Sequence, residues 1–261
     1  MKKYLIVFIG IIFSVLSGVS APMKSMEGAK WNPLIEETED SPTYIQEGLL
    51  YWWDGIKGLV ENYRWYDIVN NKYIVNVVPG DGPFITYRNL GGQINCSSTG
   101  LYCPEEFTIH SLIETVKGRF WGNWSMVGLG RGSGLHNGII LADSSTPFSV
   151  QYHKVYSGAV LNQVNLSKVK YGDTIVLDIV FRRSTLVYEV YVNGEFVGSS
   201  QIAEENWNLD GATLALGASF YGRHDNNSNF KMYNLLYYER ALSAEEVAYN
   251  FTIDSARFNL P

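Results

Sequence analysis

Positive charge is scarce in this chain of 261 residues: Lys and Arg total 20 against 26 Asp and Glu, a net charge of −6. Residues 1–20 hold two lysines and no acid, so the remainder stands at −8. An acidic chain without a basic block is a poor ligand for nucleic acid and gains nothing from an anionic membrane surface. Cysteine is nearly absent, with only Cys96 and Cys103, which excludes a disulfide-stapled scaffold. Two cysteines do not complete a zinc site, and the four histidines (His110, His136, His153, His224) match no zinc spacing. Gly-x-Ser-x-Gly, phosphate-loop and dinucleotide fingerprints are all missing. Charged residues make up 18% and apolar ones 46%, so the chain has ample core and no basis for global disorder.

One long apolar run occurs, Tyr4 to Leu16, behind Met1-Lys2-Lys3. It is too short to span a bilayer and has the form of an export signal, with Ser17 to Ala21 as the small-residue cleavage stretch. Cleavage after Ser20 is favoured, because Pro22 would sit beside a bond cut after Ala21. The expectation is a protein secreted, periplasmic or on the cell surface, without a membrane span. In an oxidising compartment Cys96 and Cys103 are expected to form a disulfide closing a short loop, worth ~2–3 kcal/mol by chain entropy. Their spacing is not that of a Cys-x-x-Cys redox pair.

What is abundant is aromatic and glycine content: 18 Tyr, 12 Phe, 7 Trp and 25 Gly. Rings and β-branched residues favour strands, and glycines supply turns. Residues 21–43 lack periodicity and read as an arm. From Tyr44 onward, Glu47–Ile56 is continuous enough in large apolar side chains for a strand buried on both faces. Further strands are predicted over Tyr73–Val78, Phe107–Val116, Ser125–Gly130, Gly138–Ala142, Phe148–Tyr156, Thr213–Phe220 and Phe230–Tyr238. Between Asp173 and Gln201, alternation and the Asn193-Gly194 turn pair predict a three-strand meander with one dry face, leaving Asp178 and Glu189 toward solvent. Ser243-Ala244-Glu245-Glu246 has the capping-box form and predicts one short helix. Together these predict an all-β, two-sheet antiparallel jelly-roll sandwich with one short C-terminal helix, a single domain over 44–261.

Three segments resemble the concanavalin A-like lectin/glucanase superfamily in its bacterial laminin G-like form. Gly48 to Gly55 is similar to its first strand, Val190 to Glu195 to its central hairpin, and Lys231–Asn234 through Tyr238–Val247 to its closing strand and helix. The resemblance implies a jelly roll; its members include glycan-binding modules, adhesion domains and glycosidases, so function must come from the site. Glycosidases of that superfamily carry Glu-x-Asp-x-Glu or a close variant on one strand, and no such string occurs here. Asp178 and Glu189 are the nearest candidates for an acid pair, with Arg182 beside them favouring a surface ion-pair row.

A binding site is better supported. Trp121 and Trp124 lead into Arg131 and His136, and Tyr221 is followed by Arg223 and His224, each mixing stacking rings with hydrogen-bonding groups. An alternative is that the tryptophans anchor polar loops to the core. Asp225 and Asn227 offer oxygen ligands to Ca²⁺, which the resemblance allows, although an ordinary turn explains them as well. No other cofactor is implied. The preferred expectation is a secreted, non-catalytic module that binds glycan or another cell-surface ligand. The alternatives are a glycoside hydrolase with a dispersed carboxylate pair, or a structural or adhesion subunit of an extracellular assembly.

Overall fold

The computed structural model describes residues 43–58, 60–75, 77–80, 82–87, 105–115, 124–130, 138–142, 148–153, 160–204, 213–219 and 231–260. Sixteen strands and one helix occupy them: β1 (Leu49–Asp54), β2 (Val60–Glu61), β3 (Arg64–Tyr66), β4 (Tyr73–Val75), β5 (Val77–Pro79), β6 (Ile85–Tyr87), β7 (Phe107–Glu114), β8 (Trp124–Gly130), β9 (Gly138–Ala142), β10 (Ser149–His153), β11 (Val160–Asn165), β12 (Thr174–Arg182), β13 (Val187–Val192), β14 (Glu195–Gln201), β15 (Thr213–Ser219), β16 (Lys231–Tyr238) and α1 (Ala244–Phe258). The predicted signal, the predicted arm up to residue 42 and the cysteine loop lie outside these residues. No described helix is long and apolar enough to cross a membrane.

The strands form two main antiparallel sheets. The larger runs β14-β13-β12-β7-β16-β6-β5, with β1 also paired to β16; the smaller runs β11-β10-β9-β8-β15. Alternation along the strands explains the layer between them. Ile175, Leu177, Ile179 and Phe181 of β12, Phe107, Ile109 and Ile113 of β7, and Leu235 and Tyr237 of β16 meet Ile139, Leu141, Val150, Tyr152 and Val164 of the smaller sheet. Phe107 and Phe181 stack at 5.4 Å where β7 and β12 pair.

The second face of the larger sheet is also dry. Val176, Asp178 and Val180 of β12 are fully buried, against the expectation of a solvent-facing set. The cause is α1, which lies across that face with Val247 and Ile253 against Val180, Tyr191, Leu236 and Tyr238. At 15 residues this helix is longer than the short one predicted. Its start follows the capping box: Ser243 Oγ accepts from the Glu246 amide at 3.3 Å, and Glu246 Oε2 accepts from the Ser243 amide at 2.9 Å. Arg240 then donates two bonds to Glu246, at 2.8 and 2.6 Å, fixing the connection from β16.

A third, small sheet of β2-β3-β4 is paired with neither, but its Val60, Trp65 and Ile74 belong to the same buried core. The predicted strand Tyr73–Val78 is divided here, its first half in the small sheet as β4 and its second in the larger as β5. Buried Trp65 anchors the small sheet by donating from Nε1 to the Asp54 carbonyl at 3.2 Å. Asp67 adds a second tie, accepting from the Trp52 amide at 2.5 Å, while the Ile68 amide donates to the Trp52 carbonyl at 2.8 Å.

Ser243→Ala removes one cap bond and is expected to cost ~1 kcal/mol, read as a lower urea midpoint at unchanged slope. A fall confined to helix signals, with the sheets still folded, would show that α1 is not part of the same cooperative unit.

Candidate functional site

Asp178 directly faces His110 across the β12–β7 pair. His110 Nδ1 lies 2.6 Å from Asp178 Oδ1, and its Nε2 lies 2.6 Å from Asp254 Oδ2 on α1. All three side chains are fully buried. Ionised carboxylates only accept, so both ring nitrogens donate and the imidazole is a cation. Burial pushes its pKa down, but Asp178 and Asp254 outweigh that and raise it from 6.5 to about 10. For Asp178 burial pushes the carboxyl up, against the downward pull of His110.

The constellation continues along α1. Asp254 Oδ1 accepts from Tyr44 Oη at 2.6 Å and from Asn234 Nδ2 at 3.0 Å. Tyr44 Oη in turn accepts from Arg257 Nη1 at 2.9 Å, and Arg257 Nη2 donates to Asp54 Oδ2 at 2.5 Å. Asp54 Oδ1 accepts from the amides of Ile56 and Lys57. Trp52 Nε1 donates to Asn234 Oδ1 at 3.0 Å. The network thereby joins β12, β7, β16, β1, the segment before β1 and α1.

An Asp–His–Asp arrangement suggests acid–base chemistry, but substrate has no access to it. The Asp178 Oδ2 atom is buried with no partner among the described residues. Glu189 does not oppose Asp178; it pairs across from Val180, two register positions along, while Tyr191 faces Asp178. Its carboxylate accepts from Arg182 Nη2 at 3.3 Å and Tyr191 Oη at 3.1 Å, the ion pair the sequence favoured. The placement of Asp178 toward solvent is therefore corrected: α1 covers it, and a strand's own alternation does not register that cover.

Of the loop candidates, the backbone of Trp124 is described; Trp121, Arg131, His136, Tyr221, Arg223, His224, the Ca²⁺ candidates Asp225 and Asn227, and Cys96 and Cys103 lie outside the described residues. Strand register still orders where the loops attach. Trp124, the first residue of β8, pairs with Ser219, the last of β15. The Trp121–Trp124 and Tyr221–His224 segments therefore join the smaller sheet at one end. Gly130, the last of β8, pairs with Thr213 and Gly138, so the chain leaves for Arg131 and His136 at the opposite end, roughly 20 Å away at about 3.4 Å per residue.

A further aromatic surface was not singled out from the sequence. Arg64, Tyr66 and Tyr73 share the outer face of the small sheet, opposite buried Trp65 and Ile74. The Arg64 guanidinium lies 4.4 Å from the Tyr73 ring centre, and Tyr66 and Tyr73 are 5.6 Å apart. The Tyr66 hydroxyl and then the Tyr73 ring raise the pKa of Arg64. The alternation in Arg64-Trp65-Tyr66 was the available signal, obscured by the shortness of β3. Nearby, a hollow lined by Gly55, Gly58, Trp65, Phe84 and Ile85 has room for about one water molecule, too little for a sugar ring.

Residues 123–248 match the concanavalin A-like lectin/glucanases superfamily, in agreement with the resemblance drawn from the sequence. None of the curated proteins is similar in sequence. Among solved structures, Trypanosoma rangeli sialidase in complex with sialic acid superposes with a TM-score of 0.58 at 14% identity, over 80% of this chain and 33% of the sialidase. The binding domain of Paraclostridial Mosquitocidal Protein 1 gives 0.55 at 16% identity, over 81% and 53%. Botulinum neurotoxin type C, whose cell entry depends on interaction with two ganglioside molecules, gives 0.52 at 9% identity, over 78% and 51%. The chain thus spans about a third of the sialidase and half of each toxin structure, and at these identities the likeness is one of fold.

Two outcomes follow for the buried constellation. A folded-state pKa raised above the unfolded one gives stability that is complete below the unfolded value and lost as pH rises through the folded value. The His110 contribution should therefore be whole below pH 6.5 and decline toward about 10. By NMR titration of the imidazole, wild-type His110 stays protonated at pH 8, and Asp178→Asn lowers its pKa; titration near 6.5 in wild type would contradict the ion triad. His110→Gln strands two buried carboxylates and should cost ~3–5 kcal/mol in urea unfolding at neutral pH.

Proposed function

We propose that this chain, whose residues 123–248 match the concanavalin A-like lectin/glucanases superfamily, is an exported module that binds carbohydrate without cleaving it. The observation that carries this reading is the sealing of Asp178: the one carboxylate–histidine constellation among the described residues sits beneath a helix, fully buried and committed to holding it. Hydrolysis of a glycosidic bond needs two reachable carboxyl groups, and Asp178 is closed to substrate. The jelly-roll fold and its likeness to structures bound to sialic acid or associated with gangliosides support a saccharide ligand.

The site assigned to that ligand is the end of the smaller sheet where β8 begins and β15 finishes. Trp121, Trp124 and Tyr221 supply rings for stacking on the apolar face of a pyranose, and Arg223 and His224 supply hydrogen bonds to its hydroxyls. Arg131 and His136 follow the other end of β8 in sequence and are left out of this proposed site. Asp225 and Asn227, in the same segment as Tyr221, are the place for Ca²⁺ if the site uses it.

A thermal-shift screen of the protein against oligosaccharides, with Ca²⁺ and with chelator, tests the reading. Ligand at a hundredfold excess over Kd stabilises the native state by about 2.7 kcal/mol, a shift of several degrees. Trp124→Ala and Tyr221→Ala should abolish the shift and His136→Ala should keep it. A saccharide panel that moves nothing contradicts the reading, as does sugar release that disappears in Asp178→Asn.

A further inference from the structure

We draw no further inference here: the strongest candidate, the exposed apolar patch of Phe196 and Val197 on β14, at the edge of the larger sheet beside β11, carries nothing because nothing in the structure shows what covers it.

Discussion

The buried imidazolium of His110 is the point on which the rest of this structure depends. A jelly roll buries one face of each sheet, but here the larger sheet also needs a cover on its outer face, and α1 provides it. Apolar contacts from Val247 and Ile253 supply adhesion without direction. Direction comes from the ion triad, because His110 satisfies both ring nitrogens only when α1 brings Asp254 to its Nε2. Arg257, one turn further on, reaches Asp54 and fixes the helix axis against β1. The cost of burying these charges is met only with every partner in place, which makes the arrangement specific more than strong.

That commitment separates support from recognition. The outer face of the larger sheet, where an acid pair had been a candidate, is occupied by its own helix. The proposed ligand site lies elsewhere, at the end of the smaller sheet where β8 begins and β15 finishes. Its base is the paired strands β8 and β15. Ligand contacts placed on such a base lose little conformational entropy on binding.

Much of the fold was legible in the chain itself. The alternation over 173–201, the Asn193-Gly194 pair and the capping box at Ser243 gave β12, β13, β14 and the start of α1 because each is a local signal. Asp178 was misplaced because alternation reports that two faces differ, not what will cover the second one. The length of α1 was underestimated because Asn250 and Asp254, polar residues that read as helix surface, are buried partners of Tyr238 and His110. Among the strands, the short β2, β3 and β6 escaped notice because two or three residues carry too little periodicity, and β11 because only Val164 of its six residues is buried.

Hydrogen–deuterium exchange with and without a saturating saccharide is the most direct test that recognition and the buried triad are separate. The expected result is protection gained at the start of β8 and the end of β15, with β7, the centre of β12 and α1 unchanged. Protection changes centred on His110 and Asp254, with α1 loosening as sugar binds, would contradict it, because they would make the sealed constellation part of the binding site.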